Sequence, residues 1–244
     1  MVDRYIQSDQ PHTRLGVDFG TGVLVIGIEG PGRRGFRTLE FPGWSKAMPG
    51  GGDLGIVHGV PVLIHYDQDG SWTIGNEVMH ADCSDHPATA RWIRKYLLDE
   101  SMVRIPSGPG RQVTFRDAAT DFLKNILARA KRECPGHPEV VFSIPHNAPE
   151  WYTGWLGSIA HTTGLASGQM INEHTATAVG YGLSINEGQT FLIIRFDEMD
   201  ISVSVILHEG SSGHSGELRV AGRSSEDMGC RALDSWIAQD MLTG

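Results

Sequence analysis

Hydrophobic and polar residues near the start of the chain follow the pattern of two β-strands joined by a tight turn. The stretch RLGVDFGTGVLVIGIEG, residues 14–30, has apolar runs of strand type on both sides of Gly-Thr-Gly. One carboxylate, Asp18, stands where the first run ends, and burying a charge at a strand end is costly unless something compensates it. The pattern predicts a β-hairpin with a turn of very small side chains.

The next segments alternate between strand and helix signals, as in an α/β protein. Two strand-like runs flank Asp69 and Gly70, a typical hairpin signal. Between Thr114 and Cys134 apolar residues recur every three or four positions, which predicts an amphipathic helix, and Thr114 with Asp117 resembles a capping box. A buried strand, VVFSIP, and a second helix follow.

Other segments extend this order to the end of the chain. HPATARWIRKYLLDE predicts a short helix starting near Pro87. In the Gly- and Pro-rich stretch at residues 29–55 the strand candidate is FRTLEF, and the rest is expected to be loop. A short strand at QMI leads into a helix in HTATAVGYGL. FLIIRFDEMDISVSVILHEG then predicts another strand-turn-strand, followed by a strand at GELRVAG and a helix from Arg231.

Composition excludes several classes of partner. Acidic residues outnumber basic ones 29 to 20, for a net charge of −9, which disfavours a nucleic-acid partner. The N-terminus lacks an apolar signal core, and no apolar run approaches the ~20 residues of a membrane helix. Three cysteines are too few for a disulfide framework and indicate a reducing compartment, so we expect a cytoplasmic protein without a membrane partner.

The opening hairpin has a counterpart late in the chain. Asp18 is followed by Glu29-Gly30 after 11 residues, and Asp197 by Glu209-Gly210 after 12. Two related lobes, each with a hairpin turn pointing toward a shared cleft, would give this pattern, but hairpins are common and aspartate favours turns. If the lobes are related, the turn amides can surround phosphate oxygens while the carboxylates hold a hydrated Mg²⁺. Phosphoryl transfer depends mainly on such positioning and charge compensation.

These motifs resemble those of a known family. GVDFGTGVLVIGI looks like the first phosphate loop of the heat-shock protein 70 (DnaK-like) chaperones, in the actin and sugar-kinase superfamily, and INEHTATAVGYGL is similar to that family's signature. The resemblance covers residues 14–242. It implies an α/β, actin-like (ribonuclease H-like) ATPase fold, with a complete lobe I at residues 14–187 and the beginning of lobe II at residues 188–244.

The resemblance also implies a site for ATP and Mg²⁺. Its metal-binding and catalytic carboxylates would be Asp18, Glu173 and Asp197, and its phosphate turn Gly20, Thr21 and Gly22. Thr21 and Arg91 would be catalytic, with Arg91 in the place of the family's lysine at the start of the ARWIRKYL helix. Pro145 matches a proline tied to communication between the lobes.

Each of these residues also has an ordinary structural interpretation. Asp18 and Asp197 could accept backbone N–H bonds in their own turns, and Thr21 could be an ordinary turn residue. Glu173 could cap the helix that follows it, where a carboxylate is favoured in any case. Arg91 could be a solvated helix residue.

The chain departs from the family at the second phosphate loop. A glycine triplet of the family is replaced here by Met199, Asp200 and Ile201. The Asp200 carboxylate would add a negative charge near the phosphates, and two like charges about 4 Å apart repel each other by about 4 kcal/mol at an effective dielectric near 20. Arginine is not equivalent to the family's lysine. The outer part of lobe II, the interdomain linker and the peptide-binding domain have no counterpart here, so we expect weak or absent hydrolysis.

Three functional hypotheses follow. The chain is a DnaK-type, chaperone-like ATP-binding protein, a degenerate non-hydrolytic interaction module that has lost nucleotide binding, or a fragment of a longer chaperone-like protein whose function needs further segments. Its expected partners are a nucleotide and other protein chains or further C-terminal domains. Two Cys-x-x-His pairs, Cys83 with His86 and Cys134 with His137, offer a tetrahedral zinc site as a separate alternative.

Overall fold

The structure, a computed structural model, describes residues 13–30, 36–51, 55–134, 136–166, 168–180, 188–211 and 214–243. These residues form two compact units, which we call the N-terminal unit (through Met170) and the C-terminal unit (Ile171–Gly244). Strands of the first are β1 (Arg14–Phe19), β2 (Val23–Glu29), β3 (Arg37–Thr38), β4 (Lys46–Pro49), β5 (Ile56–Pro61), β6 (Leu63–Tyr66), β7 (Trp72–Ile74), β8 (Thr89–Arg91), β9 (Ile105–Pro106), β10 (Gln112–Val113) and β11 (Glu139–Ile144). Its helices are α1 (Asn76–His80), α2 (Ile93–Leu98), α3 (Phe115–Arg132) and α4 (Glu150–Thr162).

The main sheet of the N-terminal unit contains both parallel and antiparallel neighbours. Its order is β12-β11-β1-β2-β5-β4, with β12 at Gln169–Asn172 and β3 added beside β2. As predicted, β1 and β2 form an antiparallel hairpin, and VVFSIP is the strand that runs parallel to β1. The expected α/β class with a central mixed sheet is therefore observed.

The core of this unit lies between one face of β1 and helix α3. Alternation buries Leu15, Val17 and Phe19 on that face, and the ring of Phe19 stacks 6.1 Å from that of Phe122 on α3. The predicted capping box starts α3, because the Thr114 hydroxyl accepts from the Asp117 amide and the Asp117 carboxylate accepts from the Thr114 amide.

The segment from Pro87 differs from the predicted helix. Thr89–Arg91 is strand β8, paired with β6, and the helix begins only at Ile93 because Trp92 adopts a left-handed backbone conformation (φ 52°). In the Gly- and Pro-rich stretch, β3 lies within the strand candidate FRTLEF, whereas β4 lies where a loop was expected. The hairpin around Asp69-Gly70 is present as β6–β7.

The C-terminal unit is a three-stranded antiparallel sheet with helices. It contains α5 (Glu173–Gly180), β13 (Thr190–Phe196), β14 (Ile201–Ser211), β15 (His214–Glu226) and α6 (Cys230–Thr243), in the sheet order β13-β14-β15. Ala178 on α5 packs with Ile193 and Ile206 of the sheet. Residues 181–187, which include the end of the predicted signature, lie outside the described residues.

Helix α5 is grouped with the second hairpin, whereas the expected lobe boundary at residues 187 and 188 put it in lobe I. The division into lobes stays a prediction. None of the helices within the described ranges is long and apolar enough to cross a membrane.

Candidate functional site

The backbone of the first hairpin turn leaves no room for a side chain at Gly20. The Gly20 amide donates to the carbonyl of Val23 at 3.1 Å, and a Cβ added at Gly20 would lie 2.5 Å from that oxygen. The carbonyl of Gly22 accepts from the Val62 amide at 2.9 Å, which ties the turn to the start of β6. The Gly20 amide is therefore committed to closing the turn.

Asp18 lies at the carboxyl end of β1 on the exposed face of the main sheet. Its Oδ1 accepts from the Ser143 hydroxyl at 2.7 Å, and the two residues are directly in register across the parallel pair β1–β11. Pro145, which is buried, follows β11 at the same edge. In open α/β sheets ligands bind outside the carboxyl ends of parallel strands, so Asp18 has the position of a site residue and a partner that orients it.

A buried arginine that the sequence patterns did not single out contacts this turn. Arg94 on α2 directs Nη2 at the hydroxyl of Thr21, 3.4 Å away, and both residues are more than nine-tenths buried. A guanidinium is permanently charged and presents several donors in a plane, which suits phosphate oxygens. Arg94 is therefore the cation that the structure places at the Gly-Thr-Gly turn.

Arg91, the expected counterpart of the family's lysine, lies elsewhere. The prediction that it starts a helix is wrong, because it ends strand β8 and is about one-third exposed. Its guanidinium pairs with Asp85 and lies 4.3 Å from the centre of the Trp92 ring. The left-handed residue Trp92 separates Arg91 from Arg94, and no sequence signal identified this break. A catalytic role for Arg91 stays a prediction.

In the C-terminal unit the structure brings Glu173 and Asp197 together through a third residue. Arg195 pairs by Nη1 with Oε2 of Glu173 and by Nη2 with Oδ2 of Asp197, the latter at 3.2 Å. Glu173 is the first residue of α5, but the side-chain cap of that helix is Asn172, whose Oδ1 accepts from the His174 amide at 3.0 Å.

These two carboxylates do not fit a metal ion as they are arranged. Oδ1 of Asp197 accepts from the Glu198 amide at 2.8 Å, so both oxygens of Asp197 are engaged. A doubly charged cation about 4 Å from the Arg195 guanidinium would be repelled by about 8 kcal/mol at an effective dielectric near 20. In the ranges that the structure covers, no three His, Cys, Asp or Glu side chains are grouped to hold a metal.

The zinc alternative therefore finds no support among the described residues. Cys134 is part of the buried core of the N-terminal unit, where burial raises the pKa of its thiol. The Cys83 thiol donates to the carbonyl of Ala81.

A binding role for Asp18 toward Mg²⁺ stays a prediction.

The turn of the second hairpin is closed by the chain's own hydrogen bonds. The Asp197 amide donates to the carbonyl of Asp200 at 2.8 Å. The carbonyls of Asp197 and Glu198 accept from the first amides of α6, those of Cys230 and Arg231, at 3.0 and 3.1 Å. The backbone in this turn therefore faces a helix.

Comparison with known proteins identifies the fold and not the family. No protein-family model matches the chain. The crystal structure of MreB5 of Spiroplasma citri bound to ADP is similar, with a TM-score of 0.58 and 19% sequence identity over 92% of this chain and 54% of that one. This chain thus spans about half the length of that protein. The likeness supports the expected actin-like fold, and it does not show membership of the heat-shock protein 70 family.

Proposed function

We propose that this chain binds an adenine nucleotide, with its phosphates at the turn between β1 and β2. The observation that carries the proposal is the buried guanidinium of Arg94 beside Thr21. Thr21 lies just beyond the carboxyl end of β1, where the Ser143 hydroxyl of the parallel strand β11 donates to Asp18. The planar guanidinium presents several charged donors, and such donors suit the oxygens of a phosphate group. The structure of MreB5, which has a similar fold, contains ADP.

Each residue of the turn has a defined task in this proposal. Arg94 neutralises phosphate oxygens, and the glycine-flanked turn lets the backbone approach them closely. Asp18, held by Ser143, is the carboxylate that would orient a hydrated Mg²⁺ accompanying the nucleotide. Hydrolysis is weak or absent, because the second turn lacks glycines and Arg195 already pairs with Glu173 and Asp197.

A chaperone-like role of the DnaK type is the finer form of the proposal. The order of GVDFGTG, VVFSIP and INEHTATAVGYGL along the chain supports it. The partners would be other protein chains or segments beyond this sequence. The contrasting candidate is an interaction module without nucleotide, which is favoured by the Arg195 ion pairs and by the hydrogen bonds that close the second turn.

Calorimetric titration with ADP and with Mg-ATP tests the proposal. Arg94→Gln should weaken binding by about 10- to 100-fold, because a charge-assisted hydrogen bond contributes about 1.5–3 kcal/mol. Arg129→Gln is the matched control: it removes an arginine that stacks 4.6 Å from the centre of the Trp44 ring, and it should bind as the wild type does. Circular dichroism must show that both variants are folded.

The outcomes separate the two candidates. If the wild type at high protein concentration gives no heat with either nucleotide, nucleotide binding by this chain is excluded and the interaction module is favoured over the proposal. If Arg94→Gln is folded and binds nucleotide unchanged, the assignment of the phosphate site is wrong.

A further inference from the structure

Arg195 lies on the face of β13 that packs toward helix α5. Side chains alternate along a strand, so Arg195 shares its face with Ile193, which is in the small core formed with Ala178 of α5. On the opposite face Leu192, Ile194 and Phe196 are exposed. A cation has thus been placed in an apolar row that faces a helix, where it requires partners.

Its partners come from two different elements. Glu173 is the first residue of α5, and Asp197 directly follows β13. The side chains of Glu173, Asp197 and Arg195 are 8%, 15% and 23% exposed, so water screens their charges only in part. One guanidinium nitrogen pairs with each carboxylate. A metal ion that bridges two acidic ligands would contact the same two carboxylates.

We infer that Arg195 takes the place of a divalent cation between Glu173 and Asp197, so that this acidic pair does not bind Mg²⁺. Its consequence rests on the proposed function: this chain binds nucleotide without a metal ion at Glu173 and Asp197. The positive charge is supplied permanently by the chain. Removing the guanidinium should leave two poorly hydrated carboxylates that a divalent cation can neutralise.

Mn²⁺ added alone, without any nucleotide, tests this inference. Two quantities are measured, the melting temperature and the relaxation rate of water protons. Mn²⁺ should change them in the wild type no more than in the double variant Glu173→Gln/Asp197→Asn, which lacks both carboxylates. Arg195→Ala should melt at a lower temperature, because removal of one partner leaves uncompensated charge. Millimolar Mn²⁺ should then raise its melting temperature by about 2–4 °C, since a ligand present above its dissociation constant stabilises the state that binds it.

Two further variants isolate the effect of the charge. Arg195→Lys keeps a positive charge between the carboxylates and should remain insensitive to Mn²⁺. Arg14→Ala removes an arginine from another ion pair, with Glu139 at 3.5 Å in the N-terminal unit, and should also show no Mn²⁺ response. Ionic strength is held constant with NaCl, so that general screening does not imitate binding.

Two results would overturn the inference. One is Mn²⁺ binding by the wild type that disappears in Glu173→Gln/Asp197→Asn, and the wild type alone supplies this result even if Arg195→Ala does not fold. The other is a folded Arg195→Ala variant that ignores Mn²⁺. Neither measurement contains nucleotide, so failure here is distinct from failure of the nucleotide titration.

Discussion

His65 is a nearly enclosed titratable group on β6. Its Nδ1 lies 2.8 Å from the hydroxyl of Thr89, and that hydroxyl donates its only proton to the carbonyl of Cys83, so Nδ1 of His65 carries the hydrogen. Burial lowers the pKa of His65, Asp67 opposes the change from 3.7 Å, and the His86 ring at 4.9 Å reinforces it.

Acid should therefore destabilise the protein through His65. A base with a lower pKa in the folded than in the unfolded state binds its proton less well when folded, so stability falls as pH drops below about 6.5, at up to about 1.4 kcal/mol per pH unit. Urea unfolding from pH 7.5 to 5 should show a smaller loss for His65→Gln than for the wild type. His161→Gln, at an exposed position on α4, should retain the loss seen in the wild type. Equal losses in wild type and His65→Gln would contradict the assignment.

Gly20 and Gly16 provide a matched pair on one hairpin. A Cβ at Gly20 would lie 2.5 Å from a backbone oxygen, whereas a Cβ at Gly16 meets nothing within 4 Å. We expect Gly20→Ala to lower the free energy of unfolding by about 1–3 kcal/mol, the usual cost of forcing extra volume into a packed site, and Gly16→Ala to change it little. Denaturant melts measure both, and equal effects would show that the turn relaxes at no cost.

At this scale the sequence identified acidic residues better than basic ones. Asp18 and Asp197 were recognisable because each stands between an apolar run and a turn, which is a local pattern. Arg94 and Arg195 were missed because their roles depend on residues that folding brings near. These are Thr21 in the first hairpin turn and Glu173 on α5, the helix before β13. A lone arginine within an apolar strand, as in FLIIRF, is a signal that could have pointed to Arg195.

Helix α3 is the element that its own sequence determines most completely. The capping box of Thr114 and Asp117 satisfies amides at its N-terminus, and eight residues of its apolar face are buried. Thr114→Ala should lower the free energy of unfolding by about 1 kcal/mol. Ser158→Ala, which removes an exposed mid-helix hydroxyl bonded to the Gly154 carbonyl, is the control and should cost less. Thermal unfolding followed by circular dichroism at 222 nm compares the two variants. Identical melting temperatures would refute the role of the cap.

Elements with weak local signals were predicted poorly. Strand β8 has three residues and exists because it pairs with β6, and β4 is a four-residue strand that pairs with β5. Such strands obtain their hydrogen bonds from distant segments, so the helix-like spacing around Pro87 was a misleading local pattern. The hairpin at Asp69-Gly70 was predictable because its turn residues and its strands are adjacent.

On the scale of the whole molecule, the two units differ in how much apolar surface they bury. The N-terminal unit has an extended core that includes β1 and α3, whereas the core described for the C-terminal unit consists of Ala178, Ile193 and Ile206 with Phe191 packed against it. Local opening requires less free energy where fewer apolar contacts are buried. The C-terminal unit should therefore open first.

Hydrogen exchange followed by mass spectrometry tests this expectation. Amides of β13 and β14 should exchange at least about tenfold faster than those of β1 and α3, a difference of about 1.4 kcal/mol in opening free energy. The comparison is internal, since all four elements are measured in one sample and corrected for intrinsic exchange rates. Similar protection throughout the chain would mean that the units unfold as one.

The parallel pairing of β1 with β11 also has a consequence for synthesis on the ribosome. Asp18 is in register with Ser143, so β1 meets this neighbour only after the more than 100 residues between them have been translated. Until then the nascent hairpin exposes an unpaired strand edge, which is a template for association with other chains. Release of residues 139–144 from the exit tunnel is thus the event that covers this edge of β1, and shielding of the edge by a nascent-chain chaperone would matter most before it.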